Sequence, residues 1–120
     1  MNAEDLCFES ACSLHERITS KEVSAREVLD AFLARIDVVN PKLNAYTYLD
    51  AEGARKRAEE LDRSILKSGP SGPLHGIPVS VKDLTPTRGI RTTFGSRMYY
   101  DHIPDEDALV VRRLKKAGAV

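Results

Sequence analysis

The chain lacks the features that mark secreted, membrane-spanning and nucleic-acid-binding proteins. Its 120 residues carry 18 basic and 18 acidic side chains, so no net charge attracts it to nucleic acid or to an anionic membrane. No segment approaches the roughly 20 apolar residues that cross a bilayer, and the first ten residues have neither the basic start nor the apolar run of a signal peptide. We therefore expect a cytoplasmic protein that binds neither membranes nor, directly, nucleic acid.

Cysteine is also scarce, which argues against a disulfide framework or a metal centre. The two cysteines, Cys7 and Cys12, lie in a stretch with helical character, and His15 is the nearest further metal ligand. These three positions do not follow a zinc-binding spacing, and a secreted disulfide scaffold would contain more cysteines. The sequence therefore predicts two free thiols and no metal site.

The first third of the chain is predicted to be helical. An irregular amphipathic stretch reaches His15, and two capping boxes follow, Thr19 with Glu22 and Ser24 with Glu27. We expect the helix that starts at Ser24 to end near residue 39, because a proline two positions later lacks the N–H that would continue it. Apolar residues repeat at helical spacing and predict one buried stripe: Val28, Leu29, Phe32, Leu33 and Ile36.

Two different periodicities follow. Residues 43–50 alternate with a period of two and include two tyrosines, which favours a short strand. Residues 51–69 predict a surface helix that ends at Gly69-Pro70. The apolar positions of that helix recur every three or four residues: Ala51, Ala54, Ala58, Leu61 and Ile65.

The last third contains an apolar strand, a long irregular segment and a helix. Residues 77–81 predict a buried strand, which is at an edge or unpaired near Pro78 because proline cannot donate a hydrogen bond. Residues 84–107 are rich in Gly, Pro, Thr and Ser, and such long irregular segments often carry function. Residues 105–118 predict a helix with an apolar side formed by Leu109, Val110, Leu114 and Ala117.

The order of these elements favours the α/β class. Helix, strand, helix, strand, loop and helix alternate along the chain, and residues 119–120 have the character of a further strand. No internal repeat, low-complexity segment or linker divides the sequence. We expect residues 1–120 to be the N-terminal, incomplete part of one larger domain.

The most informative stretch is GPLHGIPVSVKD at residues 72–83, where an apolar strand ends in Lys82 and Asp83. A lysine at a strand end commonly extends its ammonium group into solvent while its methylene groups cover apolar surface. The alternative is a partly buried lysine whose pKa is lowered by desolvation, so that its neutral amine serves as a base. Composition and periodicity leave both interpretations open.

Several segments together resemble the amidase signature family of serine amide hydrolases. They are GPLHGIPVSVKD, the downstream TTFGS, the helix PDEDALVVRRLKKAGAV and the upstream segment ITSKEVSAREVLDAFLARIDVVNPKLNAY. The four segments stand in the family's order and at similar spacing, from about Ile18 to Val120. The resemblance implies the N-terminal helices and first strands of a larger, mixed-sheet amidase signature domain.

That resemblance also implies a mechanism. Lys82 would be the terminal base of a Ser–cis-Ser–Lys arrangement that forms an acyl-enzyme from a small-molecule amide, with no cofactor and no metal. Asp83 would support Lys82 or the nearby backbone. Neither His75 nor Ser80 is expected to be catalytic, because this chemistry uses no histidine and Ser80 occupies a variable position of the motif. The Gly/Ser-rich stretch that holds the two serines and the oxyanion hole has no counterpart in these 120 residues.

Three functions follow from these expectations. The first is a stand-alone amidase, of which the isolated chain would be inactive. The second is the glutaminase subunit of a tRNA-dependent amidotransferase, although Leu84 stands where that subunit commonly has an asparagine. The third is a non-catalytic fragment or small binding module. Exposed apolar faces would favour association in each case, including a homo-oligomer.

Overall fold

The computed structural model describes residues 3–120, with side chains from residue 5 onward. Helices dominate the described chain, and a 3-10 helix at Arg97–Tyr99 interrupts the long irregular segment. The α-helices in the described part are α1 (Ala3–Leu6), α2 (Ala11–Thr19), α3 (Ala25–Leu43), α4 (Ala51–Ser68) and α5 (Leu109–Lys116). No helix among these is long and apolar enough to cross a membrane.

The capping box at Ser24 is confirmed as the start of α3. The Ser24 hydroxyl accepts the N–H of Glu27 at 3.0 Å, and the Glu27 carboxylate accepts the N–H of Ser24 at 2.8 Å. The other expected capping box, Thr19 with Glu22, is wrong. Thr19 is the last residue of α2, and its hydroxyl donates to the carbonyl of Glu16. Glu22 instead forms an ion pair with a side chain of α2.

The expected end of α3 near residue 39 is also wrong. The helix continues through Pro41 to Leu43, and Asn44 closes it in the left-handed conformation with φ of 50°. The side chain of Asn40 holds the departing chain by accepting from the N–H of Tyr46 and donating to its carbonyl. Proline removes one helical hydrogen bond, and the two Asn40–Tyr46 hydrogen bonds add local support just beyond the last turn.

Helix α3 packs on α4 and forms the centre of the core. Residues Val28, Leu29 and Leu33 of the predicted stripe are buried, and so are Ala58, Leu61 and Ile65 of α4. Phe32 and Ile36 are half-buried, and both line an open cleft. On α5 the buried apolar residue is Val111, whereas Leu109 and Val110, which were expected on the apolar side, are about half exposed.

The predicted strands are not present as strands in the described chain. Residues 43–50 leave α3 and run as an exposed irregular segment, because no neighbouring chain supplies a row of hydrogen-bond partners. Residues 77–81 are extended, and Val120 pairs with them in the pattern of a parallel bridge. Val120 donates to the carbonyl of Ile77 at 3.0 Å and accepts from the N–H of Val79 at 3.0 Å. The strand component of the expected α/β class is therefore not shown by this mostly helical structure.

Glycines allow the same pairing to extend toward the N-terminal side, as far as Leu74. The N–H of Gly76 donates to the carbonyl of Gly118, and the N–H of Leu74 donates to that of Ala117, both at 2.9 Å. Gly76 and Gly118 have φ of 78° and 94°, values that side-chain-bearing residues rarely adopt. A Cβ on Gly118 would lie 2.8 Å from the Cα of His75, so this close approach of two backbones requires glycine.

The start of α3 has an unexpected long-range cap from α4. The Asp62 carboxylate accepts the N–H of Ala25 at 2.7 Å and the N–H of Arg26 at 3.1 Å. Both N–H groups belong to the first turn, where a helix has no internal acceptors and favours negative charge. Asp62 therefore joins the two central helices in addition to their apolar faces.

We predict that Asp62→Ala lowers the free energy of unfolding by about 1–2 kcal/mol, because the two N–H groups lose a charged acceptor. Urea unfolding followed by circular dichroism measures the change. Glu60→Ala, which removes an exposed carboxylate two residues away on α4, is the matched control and should change stability little. Equal effects of the two substitutions would contradict the proposed cap.

Candidate active site

His75 fixes the loop that leads into the motif. Its side chain is fully buried, with 0% exposure. The ring Nδ1 accepts the N–H of Ser71 at 3.0 Å and lies 2.9 Å from the Ser71 hydroxyl. An Nδ1 that accepts from the backbone carries no proton, so the ring is neutral with its proton on Nε2. This arrangement agrees with the structural role expected for His75.

The main-chain pairing described above places Lys82. Residues 77–79 are held by Val120, and the N–H of Thr85 donates to the carbonyl of Lys82 at 2.9 Å and closes a turn directly after it. The Lys82 side chain is exposed, and its ammonium group has no hydrogen bond or ion pair within the described residues. The burial that a neutral lysine base needs is therefore not provided by this part of the chain.

Asp83 binds the irregular segment. Its carboxylate accepts both the N–H of Thr93, at 2.8 Å, and the Thr93 hydroxyl, while its own carbonyl accepts the N–H of Phe94 at 2.9 Å. These hydrogen bonds from the Thr93 hydroxyl and N–H, with the nearby charge of Arg91, hold the pKa of the Asp83 carboxyl below its usual value. Of the two roles expected for Asp83, the structure shows contact with the backbone.

The irregular segment that Asp83 binds is ordered by contacts at several points. The Asp107 carboxylate accepts the N–H of Arg88 at 2.7 Å and pairs with Lys115 of α5 at 2.7 Å. The rings of Phe94, Tyr99 and His102 pack edge-on and tilted, with centroids between 5.2 and 5.9 Å apart. Residues 84–107 therefore form a folded wall beside the motif.

A cleft of about 810 Å³ lies between this wall and the helices. Lys82 lines it together with Ser80, and the apolar residues of α3 that lack a helix partner form its opposite side. The serines of the chain offer no obvious partner for Lys82, since the described residues contain no hydrogen bond between Lys82 and a serine. The described residues likewise contain no cluster of three potential metal ligands.

Sequence reasoning missed one cationic group in this cleft. The guanidinium of Arg91 lies over the rings of Tyr48 and Tyr100, with its central carbon 5.4 and 4.9 Å from their centroids. Arg91 lines the same cleft as Lys82. No local sequence pattern predicts this contact, because Tyr48 and Arg91 are far apart in sequence. The two-residue alternation at residues 43–50 suggested a strand instead.

The comparisons with known proteins identify the family. The model of the Amidase family matches residues 27–120, and this chain belongs to that family of amidase signature enzymes. The matched region contains the whole of the Lys82 motif and the segment that Asp83 binds. The resemblance stated from the sequence is thereby confirmed.

Two relatives and one solved structure illustrate the range of the family. The chain is 45% identical over 116 residues to the A-subunit of the glutamyl-tRNA(Gln) amidotransferase of Carboxydothermus hydrogenoformans, covering 97% of this chain and 24% of that protein. It is 38% identical over 120 residues to an acylamidase of Rhodococcus erythropolis, covering 100% of this chain and 25% of that one. A solved fatty acid amide hydrolase superposes on 100% of the chain with a TM-score of 0.93 at 31% identity, using 21% of its own length. The chain thus spans about a quarter of the length of the relatives it matches.

We predict that stability falls with pH below about 6.5 and that His75 causes part of this fall. Burial lowers the pKa of His75, an effect that the charges of His15 and Arg57 reinforce and Asp62 opposes. The unfolded chain therefore takes up a proton before the folded chain does, and the stabilisation present above pH 6.5 is lost as pH falls toward the folded pKa.

Urea unfolding of the wild type and of His75→Gln between pH 7 and pH 5 measures this effect. The wild type should lose more stability over the interval than the variant does. His102→Gln, which removes an exposed histidine, is the control and should keep the slope of the wild type. A His75→Gln slope equal to that of the wild type would show that His75 titrates normally.

We predict that Thr93→Val raises the pKa of Asp83 toward its ordinary value, because the carboxylate loses its hydroxyl donor. It should also cost about 1 kcal/mol of stability, since the site is partly exposed. Thr92→Val is the matched control, because the Thr92 hydroxyl donates to the carbonyl of Ile90 instead. Carboxyl ¹³C NMR titration measures the Asp83 pKa directly, and an unchanged value in Thr93→Val would refute the assignment.

Proposed function

We propose that this chain is the N-terminal part of a longer amidase domain that hydrolyses a small carboxamide, with Lys82 as the base. The observation that carries the proposal is the placement of Lys82. It stands at the end of a hydrogen-bonded extended segment, on the wall of a cleft large enough for a small-molecule amide. Family membership supports amide hydrolysis as the reaction.

The rest of the domain would supply what these residues lack. The apolar groups next to Lys82 are partly open, with Val79 38%, Val81 39% and Leu84 53% exposed. Covering them would also cover Lys82 and disfavour its ammonium form, so that its amine could accept a proton near neutral pH. The nucleophile and the oxyanion hole would come from the Gly/Ser-rich stretch of the same additional region.

The proposed reaction begins when the neutral Lys82 amine takes a proton from one serine, which in turn takes the proton of the nucleophilic serine. The nucleophile attacks the amide carbonyl carbon, and the C–N bond breaks as a proton passes back along the relay to the leaving amine. Water then attacks the acyl-enzyme and releases the carboxylic acid. Asp83 contributes by holding Thr93 and Phe94, which keeps the wall of the cleft against the Lys82 segment.

A second candidate is the glutaminase subunit of a tRNA-dependent amidotransferase. The 45% identity to the A-subunit of a glutamyl-tRNA(Gln) amidotransferase favours this subunit. Two observations favour a free amidase instead: Leu84 follows the Lys-Asp pair, and the match to the acylamidase extends along all 120 residues. Release of ammonia from glutamine that depends on copurifying subunits would select the glutaminase. Hydrolysis of simple amides by the unaccompanied protein would select the amidase.

In the longer protein, Lys82→Ala should lower kcat/KM for amide hydrolysis by at least about a hundredfold, because the relay loses its base. Lys67→Ala is the control, since Lys67 is exposed at the end of α4 and does not line the cleft. Release of the amine from an anilide substrate provides the assay. Retention of activity in Lys82→Ala would eliminate the proposed role.

The 120-residue chain alone should not hydrolyse a simple anilide, since its sequence has no counterpart of the Gly/Ser-rich stretch that would hold the serines and the oxyanion hole. The same anilide assay at high protein concentration tests this. Turnover that disappears in Ser80→Ala would instead show that the cleft contains its own nucleophile, and the proposal would then be wrong.

A further inference from the structure

Arg91 is a fixed cation with unused hydrogen-bond donors. The central carbon of its guanidinium lies over the rings of Tyr48 and Tyr100, 5.4 and 4.9 Å from their centroids. In the part of the chain that the structure describes, no carboxylate pairs with Arg91, and its Nε is buried without a hydrogen-bond partner. The two terminal nitrogens also form no hydrogen bond with the described residues and are not buried, so their N–H groups can reach an acceptor from outside this part of the chain.

The neighbouring carboxylate of Asp83 does not serve as this acceptor. Asp83 is close enough for Arg91 to influence its titration, yet both of its oxygens accept hydrogen bonds from Thr93. The Asp83 carboxylate therefore bonds to Thr93 and forms no ion pair with the guanidinium among the described residues. Arg91 lies near this negative charge, but its own N–H groups are not bonded to it.

A second, shallow cavity of about 260 Å³, open to solvent, adjoins Arg91. It is lined by Arg97 as well, and hydroxyl groups come from Thr47, Ser96 and Tyr100. No aspartate or glutamate is among the described residues that line it. Two arginines and several hydroxyl donors around a space of this size suit a carboxylate, which accepts paired hydrogen bonds from a guanidinium.

Arg91 lines both this cavity and the cleft that contains Lys82. We propose that the cavity binds the carboxylate of the substrate, so that the preferred substrates are amides that also bear a carboxylate group. The rest of such a molecule would extend past Arg91 into the cleft, where its amide would meet Lys82. The inference rests on the proposed amidase function for the identity of the ligand, and it adds a determinant of specificity.

Binding tests the site without requiring catalysis. Succinamate carries an amide and a carboxylate, and succinamide replaces the carboxylate with a second amide of nearly the same shape. NMR titration of the 120-residue chain, observing the Arg91 Nε–H signal, should show that succinamate binds at least about tenfold more tightly than succinamide. Arg91→Gln should weaken succinamate binding by about tenfold to a hundredfold.

Two further variants distinguish a loss of the binding site from a loss of folding. Arg97→Gln removes the second cation of the cavity at an exposed position whose side chain forms no ion pair with the described residues, and it should also weaken succinamate binding. Arg112→Gln removes an exposed arginine of α5 that lines neither cavity, and it should bind as the wild type does. Equal binding of both ligands, or undiminished succinamate binding in both Arg91→Gln and Arg97→Gln, would overturn the proposal.

Substitution of Lys82 distinguishes a failure of the carboxylate site from a failure of the proposed amidase function. Lys82→Ala should lower kcat/KM in the longer protein by at least about a hundredfold, while the 120-residue variant still binds succinamate through Arg91. Loss of succinamate binding in Lys82→Ala with retention in Arg91→Gln would place the carboxylate at Lys82 and refute this inference. In the longer protein, Arg91→Lys should raise KM for succinamate more than it lowers kcat, because it keeps the charge but loses the paired donors.

Discussion

The pairing of residues 74–79 with residues 117–120 is the constraint on which the candidate site depends. Four main-chain hydrogen bonds, from Leu74, Gly76, Val79 and Val120, hold the motif segment against the chain that leaves α5. Asp107 in turn joins α5 to the irregular wall, since it pairs with Lys115 and accepts from the N–H of Arg88. The motif and the wall are therefore both held next to α5. The direction in which Lys82 leaves the segment follows from that backbone geometry.

Asp83 and Arg91 extend the constraint from the backbone to the side chains of the cleft. The Asp83 carboxylate fixes Thr93, its carbonyl fixes Phe94, and the tyrosine rings hold the guanidinium itself. The two cations of the cleft therefore differ in environment. Arg91 contacts two aromatic rings, whereas Lys82 is exposed and would be shielded from water only by further protein.

Local signals predicted part of this structure well. The Ser24 capping box marked the start of α3, and the apolar spacing of α4 identified its buried face. The motif at residues 72–83 indicated the family and singled out Lys82. The sequence patterns did not predict three contacts. Asp62 caps α3, two tyrosines lie over Arg91, and Asn40 holds the chain that follows the proline inside α3. Sequence periodicity reflects neighbours along the chain and contains little information on such contacts.

If Lys82 is the base of a serine relay, its amine must lie within hydrogen-bond distance of a serine. A crystal structure of the longer protein would measure this, as the distance between the Lys82 Nζ and the nearest serine hydroxyl oxygen. We expect a hydrogen bond of about 2.6–3.2 Å in a site closed to solvent. A Lys82 that still extends into water in that structure, with no serine within reach, would contradict it.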